Sequence, residues 1–180
     1  MELEEKTLRS QLIFDGKVVH LYKDDIELPN GRTAFREYIK HVGAVCVLPL
    51  TDEGEVVLER QYRYPIARVM LEIPAGKLEP GEDPLTGGLR ELEEETGLIA
   101  GKMVCLGEML PAAAYCDEKI TMYLATELTS KERHLDADEF LDVLTVPLAE
   151  LVRMVMGGEI ADAKTQIAVL KADRLLNGTK

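Results

Sequence analysis

The chain has 180 residues, 46% hydrophobic and 30% charged, which suits one folded unit with its own core and excludes a disordered chain. Its 33 acids against 21 bases leave a net charge of −12, a surface that repels phosphate backbones and anionic headgroups and argues against nucleic-acid or membrane partners. No apolar run approaches the roughly 18 residues that cross a bilayer, and the charged N-terminus lacks a signal-peptide stretch, so a cytoplasmic location is expected.

In chain order, Asp15-Gly16 and Asn30-Gly31 are hairpin-turn dipeptides, and residues 7–41 read as antiparallel strands. Val42 to Leu50 is a nearly continuous apolar run, like a strand buried on both faces. Glu55 to Arg63 follows as a strand after a turn at Thr51–Gly54. Met103 to Leu128 holds further strand candidates, notably Ile120–Ala125. A helix is expected to start with Pro147 in its first position and to end at Gly157-Gly158. Another runs from about Asp162 to Leu176, with Ile167, Leu170 and Ala163 as its inward face. Cys46, Cys105 and Cys116 are odd in number and form no CxxC pair, so reduced thiols are expected. Strands interspersed with helices predict an α/β fold with a mixed sheet flanked by helices.

Charge placement says more than the total. Lys77–Glu95 carries a net −5 and Glu132–Asp142 a net −4, whereas Arg60, Arg63 and Arg68 fall in a stretch without acids. A single charge run fits a solvated face, but two acidic clusters beside an Arg-rich patch suggest a metal site next to an anion grip.

Pro84 to Thr96 carries the most chemistry. Asp83 suits an N-cap, Pro84 a first helical position and Gly97 a left-handed terminator, which predicts a helix over residues 84–96. Leu85, Leu89 and Leu92 recur at helical spacing and are expected to form its buried stripe. Glu91, Glu94 and Glu95 project together on a flank of that stripe. Like charges about 4 Å apart repel by roughly 4 kcal/mol at an effective dielectric near 20, so a neutralising cation is expected. Oxygen ligands select Mg²⁺, for which Mn²⁺ can substitute. Gly87 and Gly88, each costing roughly 1 kcal/mol in a helix interior relative to Ala, fit either close backbone packing or a weak helix.

Gly76, Glu82, Arg90-Glu91-Leu92, Glu94-Glu95, Gly97 and Leu98 stand at the spacing of a complete Nudix box, and on these residues the chain resembles the Nudix hydrolase family. Residues of roughly 14–170 are similar to its ADP-ribose pyrophosphatase-like branch, through Glu59–Arg63, Glu72–Lys77, Asp117–Ile120, Asp138–Phe140 and Asp162–Thr165. The resemblance implies a Nudix-type α/β/α sandwich over residues 42–180, preceded by an N-terminal antiparallel strand region over 1–41. That region is implied to dimerise and help build the partner's substrate site, giving a homodimer. One departure concerns the Ser-Pro-Gly stretch of the branch, which is here Ala112-Ala113-Ala114, with Pro111 two positions early. It bears on selectivity for ADP-ribose over other nucleoside diphosphate sugars.

The resemblance also implies roles. Glu91 and Glu95 are the principal metal ligands, joined by the Ala75 carbonyl and Glu94. Arg90 orients the glutamates, with an ordinary helix ion pair as the alternative, and Glu82 supports the box from its loop. Glu118 falls with the substrate-binding residues. Arg63 and Arg36 are candidates to hold phosphate, because guanidinium binds oxyanions bidentately. Arg60 and Arg68 fit that role or a solvated one equally. His20, His41 and His134 show no ligand spacing. Glu139, in the stretch His134–Phe140, best matches the branch's catalytic glutamate and would act as general base, with Asp138, Asp136 or Glu94 next, or a merely solvated loop. The function implied is a metal-dependent pyrophosphohydrolase that splits ADP-ribose, or a related nucleoside diphosphate sugar, into a nucleoside monophosphate and a sugar phosphate. A broad nucleoside diphosphate-hexose hydrolase, such as one acting on GDP-mannose or ADP-glucose, is the alternative. A non-catalytic sensor is disfavoured by the intact glutamates, and action on RNA 5′ ends by the negative charge.

Overall fold

Turn chemistry sets the strands at the N-terminus. In the computed structural model, which describes residues 3–131 and 140–178, β1 (Lys6–Asp15), β2 (His20–Glu27) and β3 (Thr33–Lys40) form an antiparallel sheet in that order. Gly16 N–H donates to the Val19 carbonyl at 2.9 Å, and Gly31, at φ +78°, closes the second turn by donating to Leu28. The loop Leu110–Lys119 belongs to the same compact unit. It is bonded to β3 through Ile39 N–H to the Tyr115 carbonyl at 2.8 Å, and Asp117 Oδ1 accepts the His41 N–H at 2.7 Å.

The second unit, Gly43–Met109 with the chain from Ile120 onward, is built around β4 (Ala44–Pro49), all of whose residues are buried as the apolar run predicts. Then follow β5 (Glu55–Arg63), β6 (Arg68–Glu72), β7 (Ala75–Lys77), α1 (Pro84–Thr96), β8 (Leu98–Met109), β9 (Ile120–Ser130), β10 (Leu141–Pro147), α2 (Leu148–Met156) and α3 (Ala163–Asn177). One sheet has the order β7-β4-β9-β8 and is mixed, since β4 runs parallel to β9 and antiparallel to β7. The other is β10-β5-β6, antiparallel throughout. Alternation along β4 divides the core. Ala44, Cys46 and Leu48 join Leu151, Val155, Ala168, Val169 and Ala172 of the α2–α3 side, while Val47 meets Leu92 of α1 and Ala125. Each fully buried aliphatic here contributes roughly 1.5–3 kcal/mol relative to exposure.

Three local expectations need correction. Leu85 and Leu89 are 41% and 37% exposed, and the buried face of α1 is Gly87, Gly88, Glu91, Leu92 and Glu95. The glycines are the reason: a Cβ on Gly88 would lie 3.2 Å from Val45 and 3.4 Å from Val47, so the helix rests on β4 by its backbone. In α3 the inward face is Lys164, Thr165, Ala168, Val169 and Ala172, whereas Ala163 and Leu170 are exposed and Ile167 is only partly covered. Pro147 ends β10 and caps α2 rather than opening it.

Candidate active site

The box is a short strand, a loop and a capped helix. Asp83 Oδ2 accepts the N–H groups of Leu85 and Thr86 at 3.0 and 3.3 Å, and Gly97, at φ +71°, returns its N–H to the Glu93 carbonyl at 2.8 Å. Those caps fix where the glutamates of α1 begin and end. Gly76 of β7 lets the helix approach, because a Cβ there would fall 2.0 Å from the Glu91 carboxyl carbon. Gly87 does the same toward the loop, where a Cβ would lie 2.7 Å from Leu78 and 3.0 Å from Glu82 Oε2.

Arg90 is the electrostatic centre of the cluster. Its Nε and Nη2 donate to Glu82 Oε1 and Oε2 at 3.0 and 2.9 Å, and its Nη1 donates to Glu91 Oε1 at 2.8 Å and Glu94 Oε2 at 3.0 Å. Nη2 also reaches the Lys77 carbonyl at 3.2 Å. Arg90 hydrogen bonding, with the Glu79 N–H, holds Glu82 down to about 2, and the same contacts raise the Arg90 pKa. Arg90 thus joins Glu82 of the loop to Glu91 and Glu94 of the helix. Glu95 is buried and accepts the Ala75 N–H at 2.9 Å, so the helix and the residue whose carbonyl is the expected ligand are directly joined.

Ala75, Arg90, Glu91, Glu94 and Glu95 are thus brought together by α1 and β7. Among the described residues, no three acids, histidines or cysteines already converge on one point as a metal cage, since Arg90 stands between Glu82, Glu91 and Glu94. The donor set nevertheless fits a hard divalent cation: several anionic carboxylates and a backbone carbonyl, all oxygen, on a rigid helix and strand.

Arg63 lies at the end of β5 and is not an unencumbered anion grip. Its Nε and Nη2 bind Glu72 Oε1 and Oε2, each at 2.8 Å. Glu72 is 2% exposed and also receives the Lys164 ammonium, which lies 3.1 Å from Asp162 Oδ2. Burial alone would raise the Glu72 pKa, but Arg63 and Lys164 together hold it below the usual carboxylate value. Burial would likewise depress Lys164, and Asp162 with Glu72 outweighs it in the opposite direction. Arg36 and Glu118 lie in the N-terminal unit. Arg36 is paired with Glu5 and donates to the Phe35 carbonyl at 3.0 Å, and Glu118 Oε1 is 3.7 Å from His41 Nδ1. Glu139 lies outside the described residues.

The stretches holding Glu72, Asp162, Lys164 and Thr165 carry the resemblance, but their part in supporting the box was not legible, although all but Asp162 are buried in the second unit. The available signal was a charged residue at a strand position flanked by apolar ones, as Glu59 is after Val56-Val57-Leu58 and Glu72 is before Ile73.

A mixed-sheet sandwich carrying this strand, loop and helix defines the Nudix class. Residues 40–166 match the NUDIX domain family, and residues 5–39 match the nucleoside diphosphate sugar hydrolase N-terminal domain. The chain is 47% identical over 169 residues to the ADP-ribose pyrophosphatase of Bacillus subtilis (strain 168), covering 93% of this chain and 91% of that protein. It is 46% identical over 168 residues to the methanol dehydrogenase activator of Bacillus methanolicus, covering 92% and 91%. It is 33% identical to the ADP-ribose pyrophosphatase of Mycobacterium tuberculosis, covering 96% and 85%. Among solved structures, an ADP compounds hydrolase superposes with a TM-score of 0.88 at 23% identity, covering 98% and 97%, a likeness of fold. The chain belongs to the Nudix hydrolase family.

Proposed function

We propose that this enzyme is a divalent-metal-dependent pyrophosphohydrolase that splits ADP-ribose, or a related nucleoside diphosphate sugar, into AMP or another nucleoside monophosphate and a sugar phosphate. The observation that carries this reading is the Arg90-centred box, with Glu95 bonded to Ala75 and Glu91 seated on Gly76. The names of the Bacillus subtilis and Mycobacterium tuberculosis relatives support the substrate class.

Glu91 and Glu95, with the Ala75 carbonyl and Glu94, would hold Mg²⁺, or Mn²⁺ in its place. When bound, the ion supplies positive charge against the diphosphate and its leaving oxygen. The chain's own part is positional and acid–base. Arg90 keeps Glu91 and Glu94 from repelling one another and orients both. Arg63 and Arg36 are the phosphate-holding candidates, with Arg63 aimed by Glu72, and Glu118 is a substrate-contacting candidate. Water adds to one phosphorus as the bridging P–O bond breaks. Glu139 takes the proton from the attacking water, because a carboxylate outside the ligand set keeps its lone pairs for that task.

The N-terminal strands are proposed to serve a homodimer. Every residue of β1 is exposed, including Leu8, Leu12, Ile13 and Phe14, which is costly for a strand that finds no partner surface. Sedimentation at micromolar concentration tests this: a dimer supports it, and a fully active monomer overturns it. A cytoplasmic location fits three free cysteines, and no helix among the described residues is long and apolar enough to cross a membrane.

A second reading, breadth toward hexose nucleotides, is favoured by one observation. In the Ala112–Ala114 turn, the Tyr115 and Cys116 N–H groups both donate to the Ala112 carbonyl at 3.0 Å, so the turn is closed by backbone hydrogen bonds and carries only methyl side chains. A hydrolysis panel of ADP-ribose, ADP-glucose and GDP-mannose with Mg²⁺ decides between them. Appreciable turnover of a hexose nucleotide supports breadth, and more than about a hundredfold preference in kcat/KM for ADP-ribose, or about 2.7 kcal/mol, excludes it.

A further inference from the structure

The Thr165 hydroxyl is fully buried and used twice. It donates to Asp162 Oδ2 at 2.6 Å and accepts the backbone N–H of Ile73 at 3.0 Å. The second bond joins residues 92 apart in sequence, tying the first turn of α3 to the segment that leads into the box. That segment is anchored residue by residue. Glu72 is held by Arg63 of β5 and Lys164 of α3, and Ile73 N–H by Thr165. The Pro74 carbonyl accepts from Val47 N–H of β4 at 2.9 Å, and Ala75 N–H donates to Glu95 of α1 at 2.9 Å.

The cap of α3 does not itself need the Thr165 hydroxyl, because Asp162 Oδ2 already accepts the Thr165 N–H at 2.9 Å. What the hydroxyl adds is a fixed height for Ile73, two residues before the carbonyl expected to bind metal. Lys164, 3.1 Å from the same Asp162 oxygen, keeps that carboxylate turned toward the tie. Mg²⁺ tolerates little departure from its preferred ligand geometry, so a small slip of this segment separates the Ala75 carbonyl from Glu95 as a ligand pair.

We propose that Thr165, held by Asp162 and Lys164, is a positioning residue for the reaction: it sets the register of Ile73–Gly76 so that the Ala75 carbonyl and the Glu95 carboxylate are presented together to a divalent ion. This rests on the metal reading of the box. The test is Mn²⁺ titration followed by the electron paramagnetic resonance of free Mn²⁺, on the full chain, for wild type, Thr165→Val and Thr165→Ser, with Tm measured alongside. Thr165→Val keeps the shape and loses the hydroxyl. It should bind Mn²⁺ about 10- to 100-fold more weakly while still folded, and Thr165→Ser should restore wild-type binding. Wild-type Mn²⁺ affinity in Thr165→Val, or equal weakening in Thr165→Ser, overturns the proposal. If Thr165→Val does not fold, amide exchange of the wild type decides: Mg²⁺ should slow exchange at Ile73 and Thr165, and unchanged rates overturn it. A wild type that binds no Mn²⁺ would instead bring down the metal reading itself, and this inference with it.

Discussion

The Glu91 carboxylate fills the space beside Gly76 in which any side chain would begin, its carboxyl carbon 2.0 Å from where a Cβ would stand. The box glycine is therefore a seat for the Glu91 carboxylate more than a turn residue. Gly76→Ala must displace Glu91 or part β7 from α1. The expected cost is about 1–3 kcal/mol of stability from overpacking. Activity should fall about 100-fold, because a group misplaced by about 1 Å no longer meets the reacting atoms. Thermal unfolding and steady-state kinetics on the purified variant check both, and wild-type turnover would contradict the seating argument.

Glu82 makes a pH prediction. Arg90 foremost, then the Glu79 N–H, lowers it from the usual 4.5 to about 2. A carboxylate depressed in the folded state stabilises the fold fully above its unfolded pKa, and that contribution is lost as pH falls through its folded pKa. The window is therefore from about 4.5 down to about 2. Glu82→Gln lacks the contribution, so its Tm should fall less steeply than that of the wild type across this window. Parallel Tm curves would show that the Arg90 contact does not stabilise the loop.

Lys164 is a cation buried between Glu72 and Asp162. Lys164→Met leaves Glu72 and Asp162 sharing less positive charge at a largely buried position. A loss of about 1.5–3 kcal/mol is expected, the scale of a hydrogen bond to a charged group, because Arg63 still holds Glu72. Urea unfolding measures it, and combining Lys164→Met with Asp162→Asn should recover part of the loss.

The local rules of the chain were legible where a single residue decides a boundary. Asp83, Pro84 and Gly97 mark α1 at both ends, and the turn at Thr51–Gly54 opens β5 at Glu55. The box itself is legible through its resemblance to a family signature, whose fixed positions fall on β7, the loop after it, α1 and the residues that follow. What periodicity misreads is the buried face of α1, where hydrophobicity points to Leu85 and Leu89 but two glycines turn the backbone onto β4. In α3 the expected inward face omits Lys164 and Thr165, because only the tertiary partners Glu72 and Ile73 explain their burial. Arg63 reads as an available guanidinium for the same reason: its bidentate bond to Glu72 joins β5 to the end of β6.

The general base is tested by Glu139→Gln, which keeps the side-chain shape and removes the proton acceptor. Loss of a general base should cut kcat by about 10²- to 10⁴-fold while substrate affinity changes little. Near-wild-type kcat would move the role to Asp138, Asp136 or Glu94.

The glutamates of α1 are proposed to act through a divalent ion on a nucleoside diphosphate sugar. Release of AMP from ADP-ribose, followed with Mg²⁺, with excess EDTA, and with Mg²⁺ restored after EDTA, tests this most directly. Turnover is expected with Mg²⁺, none in EDTA and full recovery on restoration, with Glu94→Gln and Glu95→Gln folded but slower by orders of magnitude. Full activity in EDTA would contradict it.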